Sequence, residues 1–246
     1  WLAMEFRKQG MSLKKLHRLI VTSSTYRQDS KASPSLLEKD PQNRLWARGP
    51  RFRLSGELIR DHMLKASGKL SGKMFGPGVY PPQPLTVLAH AFGNKSWNAS
   101  KGEDRYRRSI YTFIKRTAPF AGFMTFDGTS GENCLAKRDR SNTPLQALTL
   151  LNDEMYLELA RAAGHEVHQS KNDPIHSLFR RFLTRPPKQS ETNALRAYYE
   201  QQIQRLEKGE IKPSEITATP KATPELAGKV LLARAIMNLD EAITKP

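Results

Sequence analysis

The sequence predicts a mainly α-helical, loop-rich domain with at most a small β element near residues 107–115. Apolar side chains recur at helical spacing, and at three predicted helix starts in the C-terminal part a capping residue stands directly before a proline, an arrangement that favours a helix start. These three starts are Thr143-Pro144, Asp173-Pro174 and Thr223-Pro224. Only one short stretch is rich in β-branched and aromatic residues, so helices account for most of the predicted structure.

The N-terminal part is predicted to hold four helices. The first ends at Gly10, because glycine is a common helix stop, and the second begins after Ser12, a capping residue. The second helix carries apolar side chains on one face and basic side chains on the other. The predicted ranges are 1–9, 13–20, 34–40 and 56–66.

The middle of the chain is predicted to be irregular apart from one strand. Residues 76–82 contain five glycines and prolines, which favour a loop. The strand is predicted at 107–115, where Ile110 to Ile114 favour extended structure. Residues 118–132, rich in glycine and aromatic residues, are predicted to be a loop.

From Thr143 onward the chain is predicted to be helical. Thr143 can cap the first of these helices, and Gln146, three residues later, completes a capping box. Residues 212–223 are predicted to be a linker or surface excursion. The predicted helices are 144–151, 154–167, 174–183, 191–207 and 224–239. We expect residues 1–246 to form a single domain, in which the helices of 143–246 could form a semi-separate bundle.

The chain is strongly basic, with 40 lysines and arginines against 24 acidic residues and a net charge of +16. Residues 1–100 alone carry 17 basic and 6 acidic side chains. Such a surface attracts nucleic acid, anionic lipid headgroups or acidic polysaccharide; alternatively it contacts other domains or keeps the protein soluble. No run approaches the roughly 18 to 20 apolar residues of a membrane span, so no transmembrane segment is predicted.

Two groups of residues could bind anions or carry chemistry. Arg107 and Arg108 lie in a basic and aromatic segment that suits phosphates, sulfates or carboxylates, or they pair structurally with acidic residues. The second group precedes a helix N-terminus, which favours anions. Its predicted anion-binding members are Lys137, Arg138, Arg140, Asn142 and Thr143, and its weak catalytic candidates are Asp127 and Cys134.

Catalytic and metal-binding signatures are missing from the sequence. It has no nucleophile elbow, no phosphate-binding glycine loop, no dinucleotide fingerprint and no zinc-protease motif. Cys134 is the single cysteine, which excludes an internal disulfide, and a lone cysteine is most often a small buried hydrophobe. We predict no metal site, and whether the chain is an enzyme stays open.

Several motifs together resemble the C-terminal domain of planctomycete-type cytochrome-associated proteins, a family without an established biochemical function. The match extends over nearly the whole chain in the right order. The motifs lie at 1–6, 16–27, 43–53, 103–119, 125–127, 134–153 and 238–241.

The resemblance implies a C-terminal piece of a long exported protein, placed in the periplasm or otherwise outside the cytoplasm. Haem c is expected only in an upstream cytochrome-c-like domain, since these residues lack a Cys-x-x-Cys-His motif and are expected to hold no cofactor. Upstream domains of the same protein are the expected partners, together with acidic polysaccharide.

Three functions follow as hypotheses. The first is an accessory or binding domain. The second is an enzyme or binding module acting on anionic polysaccharide, coupled to redox chemistry through the haem domain. The third is nucleic-acid binding, which rests on charge alone and is disfavoured by export.

Overall fold

The computed structural model describes residues 1–88, 96–132 and 134–245, and it confirms a mainly helical fold with a small β element. Strand β1 (Phe52–Arg53) pairs antiparallel with β2 (Thr244–Lys245). The α-helices are α1 (Leu2–Lys8), α2 (Leu13–Thr22), α3 (Pro34–Lys39), α4 (Gly56–Ala66), α5 (Ala121–Thr125), α6 (Pro144–Asn152), α7 (Glu154–Gln169), α8 (Pro174–Leu183), α9 (Gln189–Glu207), α10 (Pro213–Thr217), α11 (Pro224–Met237) and α12 (Asp240–Ile243).

The predicted helix boundaries agree closely with the structure where a capping residue marks them. The Ser12 and Ser55 side chains accept hydrogen bonds from the backbone N–H groups of the third residues of α2 and α4. At Gly10, which has φ +73°, the N–H of Gly10 donates to Arg7 O and that of Met11 to Phe6 O. This is the paired bonding of a glycine helix stop, as the sequence predicted.

Three helices were not predicted, and one of them, α12, follows directly after the last predicted helix, 224–239. The other two lie in segments predicted to be irregular. Helix α5 lies within the predicted loop 118–132, and α10 lies within the predicted linker 212–223. Both are single-turn elements without the apolar repeat that marks longer helices, so the sequence pattern does not indicate them.

The prediction of a strand over 107–115 was wrong. The segment forms short 3₁₀ helices at Gly102–Tyr106 and Ser109–Tyr111, and its one described β pairing is an isolated parallel bridge between Val79 and Thr112. Within the segment, the Tyr111 and Thr112 N–H groups donate to Arg108 O and Ser109 O, and the buried Arg60 guanidinium donates to Arg107 O. These backbone groups are therefore engaged outside any ladder.

The chain divides into two compact units. The larger, residues 54–243, has its core between α4, α7, α8 and α11. Helices α7 and α11 approach closely at Gly164, where an added Cβ would lie 2.8 Å from Val230 Cα.

The smaller unit comprises residues 1–53 and 244–246. None of its helices α1, α2 and α3 contains a buried residue. Within the described part of the chain, no helix has the length and apolar character needed to cross a bilayer. Whether residues 1–246 act as one domain, with 143–246 as a sub-bundle, stays a prediction.

Candidate anion-binding site

The two weak catalytic candidates lie in the larger unit. The Asp127 carboxylate accepts hydrogen bonds from the backbone N–H of Ser141 at 2.8 Å and from its hydroxyl at 2.7 Å. Cys134 is exposed rather than buried. Among the described residues, no three His, Cys, Asp or Glu side chains are grouped to hold a metal ion. Because Ser141 donates to both of its carboxylate oxygens, Asp127 orients the segment that leads into α6.

Gln146 joins the same segment to its surroundings. Its side chain is 1% exposed, and its Oε1 accepts from the Thr143 N–H at 3.4 Å. Its Nε2 donates to Thr125 O and Ser141 Oγ, both at 3.0 Å. The glutamine predicted for the capping box thus also connects the end of α5 to the start of α6.

The predicted anion-binding residues before α6 differ in their surroundings. Arg138 Nη1 donates to both carboxylate oxygens of Glu57, at 2.9 and 2.8 Å. The others are exposed: Lys137, Arg140, Asn142 and Thr143. The structure thus places the five residues on one continuous segment, with Arg138 already engaged by a carboxylate.

Arg107 and Arg108 are placed very differently from each other. Arg107 is 1% exposed, and its guanidinium donates to Phe75 O and to Pro77 O and lies 3.8 Å from the Tyr111 ring centroid. Arg108, by contrast, is exposed. Arg107 therefore stabilises the loop at 75–77, as arginine commonly does when it bonds to several carbonyl groups.

A second buried arginine stabilises this irregular segment. Arg60 donates to Arg107 O at 2.7 Å, to Arg105 O at 3.1 Å and to Ser109 Oγ at 3.3 Å. Burial lowers the pKa of Arg60 to about 10, so the side chain remains charged at neutral pH. The neighbouring Arg105 pairs with Glu154 and Glu158. The sequence left two alternatives for the arginines of this segment, anion binding and structural pairing with acidic residues. Structural pairing accounts for Arg105.

A cleft that the sequence analysis did not single out lies in the smaller unit. Its volume is about 620 Å³. Residues 41–51, which supply most of its lining, contain three arginines and no acidic residue. The side chains that give the cleft its character are Asn43, Arg44, Trp46, Arg48 and Arg51.

The loop that forms the cleft begins at a buried carboxylate. Asp40 accepts hydrogen bonds from the backbone N–H groups of Leu45 and Arg44, each at 2.8 Å. The Leu45 N–H, with that of Arg44 and the Arg48 guanidinium, holds the pKa of Asp40 below its ordinary value. The carboxylate is thereby kept ionised as an acceptor for the loop backbone.

Asn43 and Arg48 close the loop. Asn43 Nδ2 donates to Arg48 O at 2.7 Å, and the Arg48 N–H donates back to Asn43 Oδ1 at 3.2 Å. The Arg48 guanidinium donates to Asp40 O and Pro41 O, at 3.0 and 2.8 Å. Because side chains satisfy the backbone on both sides of residues 44–47, the loop is pre-organised.

Trp46 projects from this loop. It has φ +55°, a left-handed conformation that is a genuine outlier for a bulky residue, and it is 68% exposed. Strain of this kind persists only where the surroundings enforce it, and it is concentrated at binding sites. The sequence signal was present as Asn-Arg-Leu-Trp-Ala-Arg-Gly-Pro-Arg at 43–51, which entered the sequence analysis only as part of the family motif at 43–53.

Comparison with known proteins shows to which family the chain belongs. Residues 1–199 match the profile of PSD1, described as a protein of unknown function (DUF1553), which confirms the family resemblance seen in the motifs. Neither the curated proteins nor the solved structures gave a match. Because the match covers well over half of the residues, the chain belongs to the PSD1 family of proteins of unknown function (DUF1553).

Proposed function

We propose that this chain is a binding domain for acidic polysaccharide rather than an enzyme, and that the cleft at 41–51 is its binding site. The observation that carries the proposal is Trp46, a strained and exposed indole held beside three arginines by a pre-organised loop.

The chemistry of the cleft suits a sugar polymer with negative groups. An indole offers a flat apolar face on which a sugar ring can pack, with a polar N–H at its edge. Guanidinium groups pair with carboxylate and sulfate in a bidentate manner. Uronic acids and sulfated sugars carry both features in each repeat, so one ring and one anionic group would be bound side by side.

The surroundings of Asp127 and Cys134, the two candidates for catalysis, favour a binding function over an enzymatic one. Both oxygens of Asp127 accept from Ser141, which gives this carboxylate a structural task. Cys134 is exposed on the other compact unit, with no histidine assigned as its base. A nucleophile needs an adjacent base or a lowered pKa to be activated.

The experiment measures binding of the purified chain to uronic-acid, sulfated and neutral glycans at about 50 and 200 mM salt. Trp46→Gly removes the ring while relieving the left-handed strain, because glycine adopts positive φ without penalty. We expect at least a fivefold loss of affinity for acidic glycans, taking as a guide the about 1–3 kcal/mol per base that an aromatic side chain contributes when a nucleic-acid base stacks on it. The melting temperature should be unchanged or higher.

Trp1→Ala is the matched control, because it removes another exposed indole of the same unit. Normal binding by Trp46→Gly, or equal binding of neutral and acidic glycans, would refute the proposal. Binding of single-stranded DNA in preference to every glycan would favour the nucleic-acid hypothesis instead.

The setting that we propose is an exported multidomain protein with a cytochrome-c-like haem domain upstream. In this setting, part of the basic surface formed by residues 1–100 also packs against the upstream domains. Its basis is the resemblance of the motifs to cytochrome-associated proteins. The test is the natural coding sequence and the native protein: a signal peptide and a Cys-x-x-Cys-His motif upstream, with haem stain on the mature product, would support it. A cytoplasmic product without haem would refute it.

A further inference from the structure

Helix α2 presents an apolar face that the structure leaves largely uncovered. Leu13, Leu16 and Ile20 lie on one side of the helix at three- and four-residue spacing, and Leu13 is 61% exposed. Lys14, Lys15 and Arg18 occupy the other side. Ile20, on the same side as Leu13, is 41% exposed, so α2 is a basic amphipathic helix whose apolar side lacks a complete partner.

The residues around α2 are uniformly basic. Residues 6–28 contain six lysines and arginines and no acidic residue. All six side chains are exposed, and none forms an ion pair with another part of the described chain. Helix α1 and the residue before it add exposed Leu2, Met4 and Trp1 at the same end of the sequence. Apolar and cationic groups are thus presented together, without internal neutralisation.

We infer that the segment 1–28 binds an anionic lipid surface, with the apolar side of α2 inserted at the boundary between headgroups and acyl chains. A helix with a strong apolar face, a lysine- and arginine-rich polar face and low mean hydropathy lies in the plane of the interface. Long basic side chains at its flanks keep their charges among the headgroups while their stems cover apolar surface.

Charge decides between a lipid surface and a second copy of this chain. A symmetric dimer through α2 would pair segment 6–28 with its own copy, since such an interface is self-complementary. That copy carries the same six cations and no acidic residue, so it would leave all of them unneutralised. An anionic bilayer neutralises all of them and covers the apolar face at the same time.

The experiment is co-sedimentation of the whole chain with vesicles of phosphatidylcholine alone and of phosphatidylcholine mixed equally with phosphatidylglycerol, at low and high salt. We expect binding to the mixed vesicles only, weakened by salt. Lys14→Ser with Lys15→Ser should lower the partition coefficient about 25-fold, at about fivefold for each cation. Leu13→Ser with Ile20→Ser should abolish binding at high salt, where the apolar contribution remains.

Two controls keep the outcome specific. Ile110→Ser removes an 83% exposed apolar side chain of the larger unit and should leave vesicle binding unchanged. Trp46→Gly should also leave it unchanged, which separates this inference from polysaccharide binding at the cleft. Equal binding to neutral and anionic vesicles, or no binding to either, would overturn the inference. Self-association that the Leu13→Ser and Ile20→Ser variant removes would show that the face is covered by a second copy.

Discussion

Asp127 and Ser141, fourteen residues apart, are joined by two hydrogen bonds that close the loop carrying Cys134 and Lys137. The carboxylate adopts this position from a left-handed backbone conformation with φ +60°, which aspartate tolerates better than most residues. Asp127 therefore holds the end of this loop next to the start of α6, together with Gln146, which donates to Ser141 Oγ.

Asp127→Ala is expected to lower the free energy of unfolding by about 2–3 kcal/mol. It removes two acceptors at once and places alanine at positive φ, and both effects destabilise the folded chain. Asp127→Asn should cost less, because asparagine tolerates this conformation and retains one acceptor. Urea unfolding measures the change.

Asp139→Ala is the matched control for that series, because Asp139 is an exposed carboxylate in the same loop. It should stay within about 0.5 kcal/mol of wild type. Equal effects of the two alanine variants would show that the bonds between Asp127 and Ser141 do not stabilise the protein.

Gly164 and Gly228 are expected to respond differently to alanine. Alanine gains about 1 kcal/mol of helix propensity at either position. At Gly164, however, the new Cβ would lie 2.8 Å from Val230 Cα, so α7 and α11 must separate. At Gly228 it would meet Ile203 Cδ1 at 2.6 Å and Tyr199 Cε2 at 2.9 Å, which belong to side chains and not to the backbone of a neighbouring helix.

Gly164→Ala should therefore destabilise the protein by about 2 kcal/mol or more, whereas Gly228→Ala should stay within about 1 kcal/mol of wild type. Thermal melting of both variants and wild type in the same buffer measures the difference in stability. A Gly164→Ala protein as stable as wild type would mean that α7 and α11 are not packed at this distance.

The ion pairs of Arg185 make the free energy of unfolding depend on pH in the acidic range. Its guanidinium bonds to both carboxylate oxygens of Glu191 and of Glu241, at 2.7 to 2.9 Å. The Arg185 hydrogen bonds lower the pKa of Glu191 to about 2. Because the folded pKa is depressed, this stabilisation is present above the ordinary glutamate pKa and is lost as pH falls towards 2.

Arg185→Gln should cost about 1 kcal/mol at neutral pH, since these side chains are partly exposed and solvent screens the interaction. The difference between variant and wild type should disappear near pH 2. Chemical unfolding at about pH 7, 4 and 2.5 measures it. A difference that does not change with pH would contradict the role of Glu191.

Among the arginines, Arg60 is expected to cause the largest loss of folding stability when it is replaced. Arg60→Leu would leave the carbonyl oxygens of Arg105 and Arg107 buried without this donor, at a cost of about 3 kcal/mol or more. Arg108→Leu, at an exposed position in the same segment, should cost less than about 0.5 kcal/mol. Comparable losses in both variants would show that burial of Arg60 is not what stabilises the segment.

The sequence predicted those elements whose causes are local. Ser12, Ser55 and Asp173 each cap a helix through their own side chains, and Gly10 ends one through its own conformation. Each of these interactions spans only a few residues, so a pattern of neighbours indicates it.

The prediction failed where the cause was distant. The segment at 107–115 has strand-forming residues, yet its backbone is bonded by Arg60, 47 residues from Arg107. The cleft was missed for a similar reason: the left-handed turn at Trp46 follows from the Asp40, Asn43 and Arg48 side chains bonding to the loop backbone. No propensity of tryptophan indicates it.

The exposed Cys134 thiol makes the protein chemically addressable at one site. In an oxidising compartment or an aerated buffer, two molecules can join covalently through this sulfur, because the chain offers it no internal partner. Measurements of assembly state therefore belong in reductant, and a single maleimide fluorophore at this position would report on the loop without competing labels.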